Sequence, residues 1–408
     1  MRIKFHFMRN KRNMAATMAA FFFSLCGWAQ MEFSFGETET KVSTLDDGCT
    51  LVQLPEGTDL SRIGESMSVK VDGVSVPLDD INPNPATTHI TRGEIETFVY
   101  KDKAYSFRFT DNQYSAYLFA YFNGNAQNQE QICFAISEDG FNYTPLNGGA
   151  PIIKSADIAN KKAVRDPHIL RGEDGYFYMV VTDMRSGEGW SSNDGLVLLR
   201  SENLIDWTHT AIDFPDTWPE RFDRDKLTQV WAPQTIYDRE AGKYMVYYTI
   251  GEQGNHYKIY YSYANADFTE LTTPEVLYDH GANTIDADIV WFSGLYHMFF
   301  KTEGDGNGIQ KATSPKLRGA WTSERKYLQQ THVAVEGSCT FQLNYSDEWV
   351  LMYDCYTNGS YEYCTSTDLE NFTYKCQSAN TNIFTPRHGT TIGITEAEKE
   401  RLLEEWGR

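Results

Sequence analysis

"SEDGFNYTPL", residues 137–146, is the first of five related turn phrases in this chain. Each phrase places an aromatic residue, mostly followed by threonine, a few positions after a serine, with an acidic or small residue between them. The other copies are SENLIDWTHT at 201–210, SYANADFTEL at 262–271, ATSPKLRGAWTS at 312–323 and STDLENFTY at 366–374. Most copies follow a short apolar strand, and they recur roughly every 50 to 65 residues, a length typical of one propeller blade. A β-sandwich does not need one turn five times, so the repeat favours a five-bladed β-propeller.

The remainder of the chain beyond residue 30 also reads as β-structure, because most apolar runs alternate over four to eight residues. Residues 30–110 lack the repeat, and their short strands predict a small Ig-like β-sandwich module. Residues 111–408 then form the predicted propeller. A strand at 385–394 is expected to join the sheet that begins near Tyr114, since closing the ring removes exposed sheet edges. Only the tail, 395–406, is predicted to be helical, with Thr395 and Glu398 as a capping box.

The first 29 residues have the features of a targeting segment and are excluded from the fold prediction. Basic residues between Arg2 and Arg12 precede an apolar run, 15–26, that is too short to span a bilayer. Small residues at 27 and 29 predict cleavage before Gln30. Leu25 stands where a lipoprotein signal needs a small residue, which disfavours lipid anchoring. We therefore expect an exported protein, either periplasmic or secreted.

The charge of the chain limits its partners. The formal net charge is −20, and removal of the basic leader makes the remainder more negative. Such a surface repels nucleic acid and anionic membranes, while neutral ligands remain compatible. No second apolar run is long enough for a membrane span. The six cysteines beyond the leader match neither a dense disulfide framework nor a zinc site, which favours free, mostly buried thiols. We expect the protein to be a monomer.

Three acidic phrases precede alternating aromatic runs in three different sheet units. They are VRDPHIL around Asp166, TIDADIV around Asp286 and VEGSCTF around Glu336. Each acid is expected just ahead of an innermost strand, and these strands start around one central funnel, so the three carboxylates should converge. Hydrolysis of a glycosidic bond needs one carboxylic acid to protonate the leaving oxygen and a second carboxylate to activate water or to attack. A single acid of this kind is more often a turn or strand-end residue, but the ordered set favours a catalytic site.

Five segments in order, one for each predicted blade, resemble glycoside hydrolase family 43. They are VRDPHILRGEDGYFYMVVTD, WAPQTIYDREAGKYMVYYT, TIDADIVWFSGLYHMFFKTEG, VEGSCTFQLNYSDEWVLMYD and PRHGTTIGIT, and the resemblance covers about 295 residues from Tyr114 onward. It implies an inverting glycosidase with Asp166 as general base, Glu336 as general acid and Asp286 as a third carboxylate that tunes and orients the acid. Inversion implies a separation of roughly 6.5–9.5 Å between base and acid.

Asp288 is an alternative for the third carboxylate. Strict alternation would place Asp286 and Asp288 on the same side of their strand. The family phrase has its functional acid directly after the hydrophobic residue, which favours Asp286 as the third carboxylate and predicts a structural role for Asp288.

The resemblance also implies residues that bind the substrate. Trp231 is expected to line the sugar pocket, with a propeller-core tryptophan as the alternative. Gln234 is also expected to bind the substrate, and because the family usually has an acid at this position, the orientation of the substrate stays open. Trp190, in a loop rich in glycine and serine, is either a sugar platform or packs against a neighbouring blade. Arg387 is expected to contact the substrate or a catalytic carboxylate. In the family, the position of His388 often lies beside an axial calcium ion, mostly through waters, and the alternative is a hydrogen-bonded core histidine.

These expectations combine into one leading functional hypothesis. It is an exo-glycosidase that removes terminal α-L-arabinofuranosyl residues from plant polysaccharides, without a cofactor for the chemistry. β-Xylosidase and exo-β-1,3-galactosidase activities remain open. A carbohydrate-binding propeller without catalysis is a second hypothesis, because Gln234 and Ser338 depart from the family pattern. A phosphorylase would need a basic phosphate pocket, and the acidic phrases lack clustered lysine or arginine.

Overall fold

The structure, a computed structural model, describes residues 30–36, 38, 40–44, 48–55, 58–88, 90, 95–126, 128–304, 306–378 and 380–407. The predicted targeting segment therefore lies outside the described residues. The described part is all-β apart from short helices and one C-terminal helix, which confirms the predicted class. Among its helices, none is both long enough and apolar enough to cross a membrane.

The described part of the chain begins with two sheets that share one apolar core. Their strands, within the described residues and in chain order, are β1 (Met31–Phe35), β2 (Lys41–Thr44), β3 (Thr50–Gln53), β4 (Met67–Val71), β5 (Val74–Val76), β6 (Ile95–Tyr100) and β7 (Lys103–Thr110). One sheet has the order β1-β4-β5 and the other β2-β3-β7-β6, in which β3 runs parallel to β7. Phe33 from the first sheet packs edge-on against Phe107 and Phe109 of the second, so the two sheets form a small sandwich.

Five four-stranded antiparallel sheets follow. Their strands are β8 (Tyr114–Phe122), β9 (Cys133–Ser137), β10 (Thr144–Pro145), β11 (Val164–Arg171), β12 (Phe177–Asp183), β13 (Gly195–Ser201), β14 (Thr208–Asp213), β15 (Leu227–Asp238), β16 (Lys243–Glu252), β17 (Lys258–Tyr263), β18 (Glu275–Tyr278), β19 (Asn283–Phe292), β20 (Leu295–Glu303), β21 (Gly308–Ser314), β22 (Thr322–Ser323), β23 (Glu336–Gln342), β24 (Trp349–Cys355), β25 (Ser360–Ser366), β26 (Thr373–Gln377) and β27 (Arg387–Thr395). The sheets have the orders β27-β8-β9-β10, β11 to β14, β15 to β18, β19 to β22 and β23 to β26.

The first strands of these sheets contact one another in a closed ring. β11 contacts β15, β15 contacts β19, β19 contacts β23, β23 contacts β27, and β27 returns to β11. Apolar clusters fill the space between neighbouring sheets. The arrangement is consistent with the blades of a propeller. The expectation that the last strand joins the sheet begun near Tyr114 is confirmed, because β27 pairs with β8.

Within the residues that the structure describes, helices are few and short. They are α1 (Ser155–Ile158), α2 (Phe214–Thr217) and α3 (Glu396–Trp406), with short 3-10 helices at 60–66, 78–80, 147–149 and 186–188. The predicted capping box of α3 is present, since Thr395 and Glu398 each bond the other's backbone. Arg171 of β11 also pairs with Glu398 at 2.6 Å, and Leu402 is buried against the sheets. The helix is thus fixed to two sheets at once.

The repeated turn phrase connects the third and fourth strands of each sheet. In the first copy, the Ser137 hydroxyl accepts a hydrogen bond from the backbone N–H of Gly140 at 2.9 Å, and Asp139 accepts from Phe141 and Asn142 at 2.8 Å. Similar bonds hold the copies at Ser201 with Asn203 and at Ser366 with Asp368. The phrase recurs because a short polar side chain must satisfy the backbone of this turn.

The link between the sandwich and the five sheets is short and hydrogen-bonded. The Asn112 amide donates to the carbonyl of Asn344 at 3.1 Å, and the Gln113 amide donates to the carbonyl of Leu54 at 2.6 Å. These bonds join the connecting residues to both parts of the chain.

Candidate active site

All five ring strands carry a bulge at the same end. The pairing register shifts between residues 165 and 168, 231 and 234, 285 and 288, 336 and 339, and 387 and 390. A bulge breaks the strict alternation of side chains and redirects them. Five bulges around one ring therefore turn side chains from five strands toward a common space.

Several bulge residues have left-handed backbone conformations. Asp166, Ala232 and Asp286 have φ values of 51°, 46° and 55°, and Gly337 has φ 60°. Such values are uncommon for residues other than glycine and concentrate at functional sites. The expectation that each acid stands just ahead of its strand holds for Glu336, which begins β23. It is corrected for Asp166 and Asp286, which lie inside β11 and β19.

Two glycines in the phrases that resemble family 43 are required by close packing. A Cβ on Gly337 would lie 2.4 Å from the ring of His388, and a Cβ on Gly389 would lie 2.1 Å from the carbonyl oxygen of Ala120. Neither position has room for a side chain. The Glu-Gly and His-Gly pairs therefore couple a functional side chain to a tight contact between strands.

The redirected side chains surround a cavity of about 330 Å³. Its lining consists of Asn125, Arg165, Asp166, Met184, Trp190, Trp231, Ile285, Asp286, Lys301, Glu303, Glu336, Tyr356, Arg387 and His388. Seven of the eight predicted site residues are among them, and Gln234 is not. A larger recess of about 680 Å³ lies around Tyr237, Tyr244 and Tyr263, and none of the three predicted acids lines it.

Asp166 is held at both carboxylate oxygens. Oδ2 accepts a hydrogen bond from the Thr182 hydroxyl at 2.8 Å, and that hydroxyl accepts from the backbone N–H of Ala232 at 2.9 Å. Oδ1 lies 3.5 Å from Nδ1 of His388. The carboxylate is thus oriented by three different strands while it faces the cavity.

Glu336 is flanked by two cations. Its Oε1 accepts a hydrogen bond from Nη2 of Arg387 at 2.7 Å, and its Oε2 lies 3.5 Å from Nζ of Lys301. Arg387 also donates from Nε to Oδ2 of Asp354 at 2.6 Å. Burial alone would lower the pKa of Arg387, but the carboxylates of Asp354 and Glu336 outweigh it, and that pKa is raised.

Asp286 is buried close enough to the other two acids for their charges to act on it. Its Oδ2 accepts a hydrogen bond from the backbone N–H of Gly337 at 3.0 Å and lies 3.9 Å from Nδ1 of His388. Burial raises its pKa to about 6, and the charges of Glu336 and Asp166 act in the same direction. Asp286 is therefore a carboxyl group that exchanges its proton near neutral pH.

Asp288 does not line the cavity. The expectation that it shares a side of the strand with Asp286 agrees with the structure, because both side chains accept hydrogen bonds from backbone N–H groups of β23. Asp288 is buried, and its Oδ2 accepts a hydrogen bond from the backbone N–H of Thr340 at 2.6 Å. Burial raises its pKa to about 7. Its place is between two ring strands, where it joins β19 to β23.

The raised pKa of Asp288 predicts a pH-dependent stability. Between the unfolded value near 4 and the folded value near 7, the native state holds a proton that the unfolded chain has lost. This stabilisation is complete below about pH 4 and disappears as the pH rises through about 7. We expect this group to lower the free energy of unfolding by about 2–4 kcal/mol between pH 4 and pH 8.

Asp288→Asn tests this expectation, because the amide cannot titrate. Urea unfolding at pH 5 and pH 8 should give a smaller difference for Asp288→Asn than for the wild type. Asp267→Asn, in an exposed turn, is the matched control and should keep the wild-type difference. An unchanged difference in Asp288→Asn would show that the proton is not held there.

His388 lies where a calcium ion was expected. Its Nδ1 faces Asp166 and Asp286, and its backbone N–H donates to Asp354 at 3.3 Å. In the described part of the chain, no group of three or more histidine, cysteine, aspartate or glutamate side chains is placed to hold a metal ion. The residues present do not fit direct coordination of calcium. A calcium ion held mostly through waters stays a prediction, and the alternative, a hydrogen-bonded core histidine, agrees with the burial of His388 and its bond to Asp354.

Two tryptophans form one aromatic corner of the cavity. Trp231 meets Trp190 edge to face at 6.4 Å between ring centroids, and it meets Tyr257 at the same distance. The Trp190 residue is 52% exposed. The guanidinium of Arg165 lies 5.3 Å from the centre of the Trp190 ring. Both tryptophans therefore line the cavity, which agrees with the pocket alternative for each.

Gln234 lies beneath the cavity floor, and the expectation that it binds substrate is corrected here. The residue is 1% exposed. Its side-chain amide bonds the hydroxyl of Tyr247 at 2.9 Å and lies 2.9 Å from Oδ1 of Asp288. Trp231 lines the cavity, and Gln234, on the far side of the bulge in β15, does not.

Sequence reasoning missed two charged residues of the second strand β20. Lys301 has a side chain that is 2% exposed, and its Nζ lies 2.8 Å from Glu303 and 4.9 Å from the centre of the Tyr356 ring. Burial acts to lower the pKa of Lys301, but Glu336 and Asp286 outweigh it, and the pKa is raised. A lysine inside the apolar run MFFKTE was the available sign, because a buried ammonium needs a carboxylate partner.

The lysine and arginine side chains of the cavity are each paired with a carboxylate. Arg165 pairs with Glu130 at 3.0 Å, Lys301 with Glu303, and Arg387 with Asp354 and Glu336. Among the described lining residues, these pairs leave no cluster of uncompensated positive charge. A phosphate pocket of the kind that a phosphorylase needs is therefore not present among them.

Comparison with known protein families agrees with this geometry. Residues 112–400 match the profile of a family 43-related domain described as "Probable glycosyl hydrolase domain". The chain belongs to glycoside hydrolase family 43. The resemblance seen in the five ordered phrases is thereby confirmed, over nearly the same residues.

Individual family 43 relatives are distant. An α-L-arabinofuranosidase from Bifidobacterium longum subsp. longum is 24% identical over 269 residues, which is 56% of this chain and 25% of that protein. The chain thus spans about a quarter of the length of this relative. Similar solved structures include a family 43 β-1,3-galactosidase (14% identity, 66% of this chain and 58% of that chain, TM-score 0.49) and a β-xylosidase/α-arabinofuranosidase from a compost microbial metagenome in complex with xylotriose (14% identity, 60% and 93%, TM-score 0.45).

Proposed function

We propose that this family 43 protein is an inverting exo-glycosidase that hydrolyses terminal α-L-arabinofuranosyl residues of plant polysaccharides. The observation that carries the proposal is the meeting of Asp166, Asp286 and Glu336 in one cavity from three separate sheets. Glycoside hydrolysis needs at least two carboxyl groups in different environments, one as acid and one as base. A third carboxyl group can tune the pKa and the orientation of the acid.

The proposed roles follow from the contacts of each acid. Asp166 is fixed by Thr182 and faces the cavity, as a general base that activates water must be. Glu336, on another sheet, also lines the cavity and donates its proton to the leaving oxygen. Asp286 lies buried beside both acids with a pKa of about 6, so its charge changes with the state of its neighbours and with pH. No step requires a cofactor.

The size of the cavity supports action on a chain end. Small-molecule sites usually have volumes of about 300–1,000 Å³. At about 330 Å³, this cavity lies at the lower end and suits one small sugar ring rather than a long glycan segment. Trp231 and the half-exposed Trp190 offer apolar faces against which such a ring can stack.

Arabinofuranose is the proposed sugar because the curated relative is an α-L-arabinofuranosidase, although the chain covers only part of it. β-Xylosides and β-1,3-galactosides remain the alternatives within the same chemistry. The panel that separates them consists of 4-nitrophenyl glycosides of α-L-arabinofuranose, β-D-xylose and β-D-galactose. We expect the largest kcat/KM on the arabinofuranoside. A larger kcat/KM on the xyloside or galactoside would show that the sugar is xylose or galactose, while the proposed hydrolysis would still hold.

The stereochemistry of hydrolysis is the next expected outcome. Direct attack by water on the face opposite the leaving group inverts the anomeric carbon. Proton NMR during the first turnovers should therefore show the inverted anomer before mutarotation mixes the two forms. A first-formed sugar of retained configuration would contradict the inverting mechanism and would make Asp166 a nucleophile.

A binding propeller without catalysis is not favoured. That hypothesis was based on the departure of Gln234 and Ser338 from the family pattern. Both residues are buried and neither lines the cavity, so the departures do not alter the surface that meets a substrate. Tight glycan binding without hydrolysis across the panel would reverse this conclusion.

The wider setting of the enzyme is part of the same proposal. We infer that the five sheets in 111–408 act as a five-bladed propeller and that the sandwich in 30–110 is an Ig-like module. We also propose an exported monomer, periplasmic or secreted. Secretion of the full-length chain with loss of its first 29 residues, read by mass spectrometry of the mature N-terminus, tests the localisation.

A further inference from the structure

A buried carboxylate outside the three acids lies directly opposite Glu336. In the antiparallel pair of β23 and β24, Glu336 is the register partner of Asp354. Side chains opposite one another in such a pair lie close together on one face of the sheet, and like charges there repel. The Asp354 side chain is 0% exposed, so water does not screen it. A cation must therefore lie between the two carboxylates.

Arg387 is that cation, and it uses two different nitrogens. Nε donates to Oδ2 of Asp354 at 2.6 Å, and Nη2 donates to Oε1 of Glu336 at 2.7 Å. Oδ2 of Asp354 also accepts from the backbone N–H of His388 at 3.3 Å. Because the guanidinium is planar and rigid, fixing Nε fixes the direction in which Nη2 points. Asp354 thus determines which oxygen of Glu336 receives the bond.

This bond leaves the two oxygens of Glu336 in different roles. Oε1 is occupied as an acceptor, so a proton on this carboxyl group resides on Oε2. Lys301 is 3.5 Å from Oε2, beyond the usual N–H···O range of about 2.7–3.2 Å, and it bonds Glu303 instead. Oε2 is therefore the oxygen that remains open for donation.

We propose that Asp354 is a positioning residue that holds Arg387 against Oε1 of Glu336, so that Oε2 carries the proton delivered to the leaving oxygen. The inference rests on the proposed glycosidase function and adds a residue to it. Asp354 contacts no substrate and acts through Arg387. Without the carboxylate, Arg387 loses its anchor, and the acid loses its fixed orientation.

Dependence on the leaving group separates this role from a general structural one. A 4-nitrophenolate departs with little protonation, whereas an alkoxide needs the acid. The measurement is kcat/KM of the wild type and of Asp354→Asn on the 4-nitrophenyl and methyl glycosides of the sugar that the wild type accepts. We expect the loss on the methyl glycoside to exceed the loss on the 4-nitrophenyl glycoside by at least about tenfold, part of the 10²–10⁴ that general acid catalysis supplies.

Glu362→Gln is the matched control, since it makes the same carboxylate-to-amide change at a buried position of the same sheet. Glu362 accepts a bond from Tyr353, away from Arg387. In Glu362→Gln, any loss of kcat/KM should be equal on the methyl and the 4-nitrophenyl glycosides. Equal losses for a folded Asp354→Asn would overturn the proposal.

A second variant keeps the test decisive if Asp354→Asn does not fold. Arg387→Lys keeps the charge but cannot hold both carboxylates with a rigid fork. It should show the same excess loss on the methyl glycoside, and equal losses would again overturn the proposal. A wild type that hydrolyses no glycoside would instead refute the proposed function itself, so the two failures are distinguishable.

Discussion

Replacing Glu336 with glutamine is expected to lower kcat on a methyl glycoside by about 10²–10⁴-fold, because the amide cannot supply the proton that the leaving oxygen needs. Glutamine has nearly the same shape and can still accept the bond from Arg387 at 2.7 Å. KM should therefore change little. The measurement is steady-state hydrolysis of the methyl and 4-nitrophenyl glycosides by wild type and variant.

The loss in Glu336→Gln should be much smaller on the 4-nitrophenyl glycoside. Such a pattern identifies the acid, because only proton donation depends on the leaving group. The control is again Glu362→Gln, in which a buried glutamate of the same sheet is changed without touching the cavity. Turnover of the methyl glycoside close to that of the wild type would refute the role of Glu336.

Replacing Asp166 with asparagine is expected to lower kcat by about 10²–10⁴-fold on both glycosides alike. Water must be activated whichever group departs, so a better leaving group does not rescue the variant. The asparagine oxygen can still accept the bond from Thr182, which preserves the position of the side chain. Thermal unfolding should confirm that the variant keeps its fold.

The contrast between these two variants is sharper than either loss alone. Selective loss on the poor leaving group marks the acid, and uniform loss marks the base. If Asp166→Asn instead spared one substrate, the assignment of base and acid would be wrong even though both residues matter. Asp267→Asn, at an exposed turn, should leave both activities at the wild-type level.

Much of the fold was predictable because its determinants are local. The five turn phrases recur since each must satisfy the backbone of its own turn, as the bonds around Ser137 and Asp139 show. The capping box of Thr395 and Glu398 likewise involves residues three apart. Such features leave a pattern that a single sequence displays. The order of the acidic phrases then predicted which residues share the cavity.

The orientation of side chains in the cavity was less predictable. Alternation placed Asp286 and Asp288 on one side of β19, and both do face β23, but only Asp286 lines the cavity. In β15, likewise, Trp231 lines the cavity and Gln234, on the far side of the bulge, does not. A bulge is stabilised by the fit of one strand against its neighbours in the ring. The alternation of apolar and polar residues within that strand does not predict it.

The sequence by itself determined the repeated sheet units, the helical tail and the three acids that mark the family. Only the tertiary structure decided how Glu336 is held, since Arg387, Lys301 and Asp354 come from three different strands. Residues 336 and 387 meet because the last strand closes the ring beside β23. A local hydrogen bond constrains residues that are neighbours in the sequence, so a single sequence shows it as a pattern. A charge pair across a closed ring forms only when every sheet between its two partners is in place.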